Sequence, residues 1–368
     1  MADLLKELSD IGVSVWLDDL SRTRLRTGQL TELAEKDHVV GVTTNPAIFS
    51  AAIGDGTTYA EQIKELAAKG ATVEEAVTAM TSDDVREACD IMRPIFDATN
   101  GQDGRVSIEV DPRISADREA TIAQAKALHA LVDRPNVLIK IPATKGSIPA
   151  ISDAIAAGIS INVTLIFTIE QYVDVLDAYM EGLERAKASG LDLGKIRSVA
   201  SVFVSRLDTM IDPMLDAIGT PEAKALRSKA AVANARLSFE AYEKVMASDR
   251  WKALEAAGAH KQRPLWASTG VKDASLSPTL YVDELAAPET VNTMPEATLR
   301  AVAAGSKLHG NAIEGTYEES REVIAGLGKV GIDFDDCAHK LLVEGVEKFE
   351  VAWVSLLDKV QAALDAAK

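Results

Sequence analysis

The chain has 368 residues, 47% of them hydrophobic and only 5% aromatic, enough apolar material for one large core or two ordinary ones. Lys plus Arg number 39 against 56 Asp plus Glu, a formal charge of −17. A surface this acidic repels phosphate backbones and anionic lipids, which argues against nucleic-acid and membrane partners and demands local cations for any anionic substrate.

In chain order, the opening "MADLLKELSD" is amphipathic and acidic, without the basic stretch and apolar core of a secretory leader. No window approaches the roughly 18 apolar residues of a membrane span. The two cysteines, Cys89 and Cys337, form no CxxC pair, which fits a reduced compartment, so a cytoplasmic location is expected.

Short Val/Ile-rich runs then alternate with longer Ala/Leu/Glu/Lys segments of helical period. Strands are predicted over 13–18, 39–43, 105–110, 137–141, 160–165, 198–204, 264–268 and 290–294. Helices are predicted between them, over 31–37, 115–133 and 168–190, the last with Thr168 as N-cap and Gly190 at its end. Eight βα units predict an α/β fold, a closed (β/α)₈ TIM barrel. A helical insertion near 50–100 and a helical extension near 295–368 exceed the plain repeat. No Pro/Gly/Ser-rich linker separates them, so a single domain is expected, although two domains with a doubly wound sheet use the same βα grammar.

Period-2 alternation sorts the strand residues. In "NVLIKIPAT", Val137, Ile139 and Ile141 form a continuous aliphatic row suited to face helices, which turns Lys140 into the barrel. The same test turns inward Ser14, Trp16 and Asp18 of "VSVWLDD", Ser107 and Glu109 of "VSIEVDP", and Ser160, Asn162 and Thr164 of "SINVTLIF". Val13, Val15 and Leu17, Val106, Ile108 and Val110, and Ile161, Val163 and Leu165 are the outward rows. Singly, each inward polar residue has an ordinary reading as half of an ion pair or a partner for buried backbone groups. Two carboxylates, a lysine and two neutral hydrogen-bonders at the end where barrel enzymes keep their active sites point instead to chemistry.

A lysine withheld from bulk water binds its proton less tightly, because burial disfavours the ammonium. A neutral amine attacks a carbonyl and forms a Schiff base, whose protonated imine is an electron sink. Carbon–carbon cleavage beside that imine needs a base for the hydroxyl proton, a role open to Asp18 or Glu109. The five histidines show no HxH or HExxH spacing, and neither a Walker A sequence nor a GxGxxG after a strand occurs, so no metal and no cofactor is expected.

These residues lie in motifs that resemble those of the transaldolase family: "LDD" from Leu17, "GVTTNPAIF" from Gly41, "IEVDP" from Ile108, "LIKIPAT" from Leu138, "INVTLIF" from Ile161 and "SVFVSRLD" from Ser201. They occur in the family's order over about 13–208, with "ASTGVKD" from Ala267 as a looser seventh match. The resemblance implies a lysine-dependent (β/α)₈ enzyme of the non-oxidative pentose phosphate pathway. It would move a dihydroxyacetone unit from sedoheptulose 7-phosphate or fructose 6-phosphate to glyceraldehyde 3-phosphate or erythrose 4-phosphate. By the same resemblance, Lys140 is the Schiff-base lysine and Asp18 the acid/base at the cleaved bond. Glu109 and Thr164 then hold a catalytic water, while Thr44, Asn45, Asn162 and Ser201 contact or shape the site of the dihydroxyacetone unit. Arg206 and Ser268 bind phosphate. Where many members carry a second phosphate arginine this chain offers Lys272, which lacks the bidentate fork.

Two rivals stand beside this reading. One is an aldolase of the same superfamily that releases free dihydroxyacetone; the other is a catalytically silent barrel whose acidic helical tail binds a partner. The tail around Phe349 and Trp353 would either cover the barrel or form a dimer contact, leaving monomer and homodimer both open.

Overall fold

The computed structural model describes residues 3–54 and 57–367; positions 1–2, 55–56 and 368, which belong to the N-terminal stretch, the insertion and the extension, lie outside the described residues. Strands β1 (Val13–Asp18), β2 (Gly41–Thr43), β3 (Arg105–Glu109), β4 (Val137–Pro142), β5 (Ile161–Ile166), β6 (Ser198–Phe203), β7 (Arg263–Ala267) and β8 (Thr290–Met294) close in chain order into a parallel barrel. Closure is made by β8 pairing with β1 from Val13↔Thr290 to Leu17↔Met294. The predicted eight strands and their order are those observed, and both faces of each are buried, as a parallel sheet under helices requires. β2 is shorter than predicted because Val39 and Val40 precede it, although the Val40 amide already donates to the Val15 carbonyl at 2.8 Å.

The inward side chains fill the barrel in layers. At the N-terminal end, Arg263 Nη2 meets Asp103 Oδ1 at 2.9 Å, Arg263 Nη1 donates to Ser14 Oγ at 2.6 Å, and Ser14 Oγ donates to Asp103 Oδ2 at 2.9 Å. Above them lies the fully buried Trp16, whose ring fits because β2 begins with glycine: a Cβ on Gly41 would stand 2.4 Å from Trp16 Cε2. Gly41→Ala is therefore expected to cost about 1–3 kcal/mol of unfolding free energy through overpacking. Urea denaturation measures it, and an unchanged midpoint would mean that the indole has room to move.

One strand departs from the alternation. Leu165 has φ +61°, and the β5–β6 register shifts between Val163 and Ile166. This bulge takes Leu165 out of its predicted outward row and brings it against the C-terminal helix, where a Cβ on Gly345 would lie 3.1 Å from Leu165 Cδ2.

The helix Ile169–Ala188 is capped as predicted, the Gln171 amide donating to Thr168 Oγ1 at 3.0 Å, and it is followed by Gly190 at φ +78°. The insertion contains helices Pro46–Gly54, Ala60–Ala68 and Val73–Ala98, the last opened by a reciprocal Thr72–Glu75 capping box. It is pinned to the barrel by a buried ion pair, Arg22 Nε to Asp84 Oδ1 at 2.7 Å, with Tyr59 Oη donating to Asp84 Oδ2 at 2.6 Å. The C-terminal helix Phe334–Ala366 then crosses from the barrel mouth onto the insertion, where Lys359 Nζ donates to the Ser50 carbonyl at 2.8 Å. The Pro46–Gly54 helix and the C-terminal helix thus pack together at the C-terminal ends of the strands, while Val73–Ala98 runs down the barrel's flank to its N-terminal end, where a Cβ on Gly104 would stand 2.3 Å from the Phe96 backbone nitrogen.

Candidate active site

β4 carries Lys140 to the C-terminal end of the barrel, 5% exposed. Its Nζ donates to the Thr44 carbonyl at 2.9 Å and lies 2.7 Å from Glu109 Oε1 on the neighbouring strand. The register Glu109↔Lys140 dictates that proximity. Lys140 and Glu109 Oε1 form a close buried ion pair, while Glu109 Oε2 and the buried Thr164 Oγ1 have no hydrogen-bond partner among the described residues. Burial raises the Glu109 carboxyl above its ordinary value; Lys140 opposes that rise and Asp18 adds to it.

Beneath the lysine, Ser201 Oγ donates to Asn162 Oδ1 at 2.7 Å and Asn162 Nδ2 donates to Ser107 Oγ at 3.0 Å. Thr44 Oγ1 donates to the Ser107 carbonyl at 2.8 Å, so this residue presents its carbonyl, not its hydroxyl, to Lys140. Asn45 Oδ1 accepts from the Ile48 amide at 3.0 Å, fixing the start of the following helix while the residue lines the cavity.

Asp18 closes β1. Its Oδ1 accepts from Thr43 Oγ1 at 2.7 Å, and Thr43 Oγ1 is 2.6 Å from Thr293 Oγ1. Enclosure by protein raises the Asp18 carboxyl, and Lys140 and the Thr43 hydrogen bond pull the other way. Lys140 and Asp18 both face a cavity of about 130 Å³, together with Asn45, Ser201, Arg206, Ser268 and Lys272. Ser268 has φ +56°, a strained conformation for a residue with a side chain, and its Oγ is 3.0 Å from Ser205 Oγ.

Arg206 makes no ion pair among the described residues, and its buried Nη1 has no hydrogen-bond partner among them. Its guanidinium lies 4.9 Å from the Phe203 ring centroid and 6.0 Å from that of Phe349. Burial lowers its proton affinity, with Asp18 and Glu344 partly restoring it. Phe349 also stands 5.8 Å from Lys140 Nζ, so the C-terminal helix covers the cavity as one of the two alternatives anticipated.

Seven predicted residues thus meet at one cavity, while Thr44 and Glu109 contact Lys140 and Asn162 contacts Ser201 from behind it; Thr164 is buried on β5, and its hydroxyl has no hydrogen-bond partner among the described residues. Sequence reasoning missed Thr43 and Thr293 as supports of Asp18, and Phe203 as a wall of the cavity. The alternation test could have found Thr43, two residues after inward Gly41. Among the described residues no group of three or more His, Cys, Asp and Glu is placed to hold a metal, and no helix is long and apolar enough to cross a membrane.

A family model described as Transaldolase/Fructose-6-phosphate aldolase matches residues 15–360. The chain is 60% identical over 364 residues to Transaldolase 2 of Streptomyces avermitilis, covering 99% of this chain and 98% of that protein. It is 59% identical over 364 residues to a transaldolase of Mycolicibacterium smegmatis, covering the same shares. Similarity over nearly the whole length includes the insertion and the C-terminal helix. The chain belongs to the transaldolase/fructose-6-phosphate aldolase family.

Proposed function

We infer that this chain is a transaldolase that transfers a dihydroxyacetone unit from a ketose phosphate to an aldose phosphate through an imine on Lys140. The observation that carries this reading is the enclosed Lys140 facing Asp18 across one small cavity, together with Arg206, which has no ion-pair partner among the described residues. Fructose 6-phosphate and sedoheptulose 7-phosphate are the proposed donors; glyceraldehyde 3-phosphate and erythrose 4-phosphate are the proposed acceptors. Arg206, helped by Lys272 and Ser268, holds the donor's phosphate, and the keto carbon then lies over Lys140. The Lys140 amine attacks the C2 carbonyl, and loss of water gives the iminium. Glu109 Oε2, on the carboxylate paired with Nζ, and Thr164 Oγ1 are polar atoms without a partner among the described residues, which suits the water and protons of this step.

Asp18 accepts the C4 hydroxyl proton as the C3–C4 bond breaks, its electron pair flowing into the iminium to leave an enamine. The aldose phosphate departs. The acceptor aldehyde takes the enamine's carbon, Asp18 returns the proton to the new alkoxide, and hydrolysis frees the product from Lys140. Borohydride reduction in the presence of fructose 6-phosphate, followed by peptide mapping, tests the central claim: a three-carbon adduct on Lys140 is expected. A folded protein with unmodified Lys140 would refute it.

Transfer, as opposed to release of free dihydroxyacetone, requires that the enamine be kept from water between the two aldehydes. The aromatic cover of Phe203 and Phe349 favours transfer. Phe349→Ala is expected to raise acceptor-free release of dihydroxyacetone by about tenfold, equivalent to ~1.4 kcal/mol of lost protection. An enzymatic assay for dihydroxyacetone reads this; an unaltered release rate would assign the shielding elsewhere.

A further inference from the structure

The opposite end of the barrel holds a larger cavity, of about 490 Å³, lined by Arg105, Arg197, Arg263, Lys261 and His260. Arg105 opens β3, Arg197 immediately precedes β6 and Arg263 opens β7, so the barrel's closure brings three guanidiniums to one mouth. All three are buried, at 2%, 8% and 8% exposure. In a chain of formal charge −17 such a gathering of cations runs against the whole-molecule balance.

The carboxylates there neutralise it only in part. Asp103 is taken by Arg263 at 2.9 Å, and Glu289 by Lys261 at 2.8 Å. Glu255 stands exposed at the rim. Neither Arg105 nor Arg197 has a carboxylate partner among the described residues. Arg105 Nε donates to the Gly101 carbonyl at 2.7 Å and its guanidinium lies 5.2 Å from the Phe96 ring centroid, but its buried Nη1 has no hydrogen-bond partner among the described residues. Arg197 Nη2 donates to the Asn100 carbonyl at 2.9 Å and Nη1 to the Ile196 carbonyl at 3.2 Å. Burial and mutual repulsion lower the proton affinity of Arg105, and burial with the two nearby guanidiniums holds His260 below its ordinary value. Buried cations near one another are costly unless an anion joins them.

We propose that the N-terminal mouth of the barrel is a second binding site, separate from the cavity around Lys140, for a small multivalent anion of the phosphate class held by Arg105, Arg197 and Arg263. Guanidiniums match phosphate oxygens in paired hydrogen bonds, and the cavity has room for a phosphorylated small molecule. Lys261 at the rim, paired with Glu289, places a further ammonium donor beside the mouth. The site is defined by its own residues and stands whether or not Lys140 forms an imine.

Isothermal titration with inorganic pyrophosphate at low ionic strength tests it, on the full chain bearing Arg206→Ala so that the opposite cavity lacks its guanidinium for phosphate. One equivalent is expected to bind. Adding Arg197→Gln is expected to weaken that binding by on the order of tenfold or more. Lys261→Glu, a rim substitution that leaves the buried arginines in place, is expected to weaken it as well and serves if the Arg197 variant does not fold. Absence of pyrophosphate binding to the Arg206→Ala chain, or affinity unmoved by Lys261→Glu and by a folded Arg197→Gln variant, would overturn the proposal.

Discussion

Lys140→Met is expected to cut kcat by more than about 10⁴-fold, because the route to an electron sink is removed and not merely weakened. Methionine keeps most of the stem's packing and loses the charge. The structure adds a second, separable consequence. Glu109 sits beside Lys140 Nζ at 2.7 Å with its side chain 7% exposed, and without the ammonium it becomes a buried, unpaired carboxylate. Breaking a buried pair in this way costs about 3–5 kcal/mol when the remaining group is charged. Burial already holds Glu109 above its ordinary value, and loss of Lys140 raises it further. The native variant then binds a proton that the unfolded chain releases, so its stability deficit is small at low pH and grows as pH rises through the raised value. Adding Glu109→Gln to Lys140→Met is expected to restore stability near neutral pH without restoring turnover. Urea denaturation at two pH values, with a coupled assay of aldose release, checks both arms. Measurable turnover in Lys140→Met would place the nucleophile elsewhere, and a double variant no more stable than the single one would mean that Glu109 is not the residue left unpaired.

The catalytic end of this barrel was legible in the sequence because a strand has an unambiguous period of two. Aliphatic rows such as Val137, Ile139 and Ile141 dictate an orientation, and the polar residues left over, Lys140, Glu109, Asn162 and Asp18, share the other face. What alternation cannot reveal is register between strands: it turns Thr43 inward without showing that Thr43 meets Asp18, and the support from Thr293 at the far end of the chain was not visible. The bulge at Leu165 was hidden for another reason: a positive φ is imposed on a leucine by its surroundings, with no glycine to mark it. Phe349 was noted only as part of a helix with two destinations, because choosing between barrel and partner depends on tertiary contacts such as Gly345 against Leu165 and Arg206. The arginines at the N-terminal mouth went unnoticed since net charge, summed over the chain, conceals where the cations gather.

Asp18→Asn separates the two halves of the proposed chemistry. If Asp18 moves the C4 hydroxyl proton and Glu109 serves imine formation, the variant still condenses Lys140 with fructose 6-phosphate but fails to break the carbon–carbon bond. Turnover is expected to fall by about 10²–10⁴-fold, the usual worth of a positioned acid or base. Borohydride is then expected to trap the intact six-carbon sugar phosphate on Lys140, where the parent chain yields the three-carbon fragment. The pH profile provides an independent check. Enclosure raises the Asp18 carboxyl, so the ionised base accumulates only as pH climbs through that raised value, and the acidic limb of kcat lies above the ordinary carboxylate range. Asparagine has nothing to titrate, and the limb due to Asp18 is expected to vanish from the residual activity. The folded chain also holds this proton more tightly than the unfolded one, so the group's contribution to stability declines as pH rises from the unfolded value through the folded one, a slope that Asp18→Asn removes. A three-carbon adduct in the variant, or an acidic limb that survives the substitution, would move the base to Glu109, which burial raises as well and which touches the same lysine.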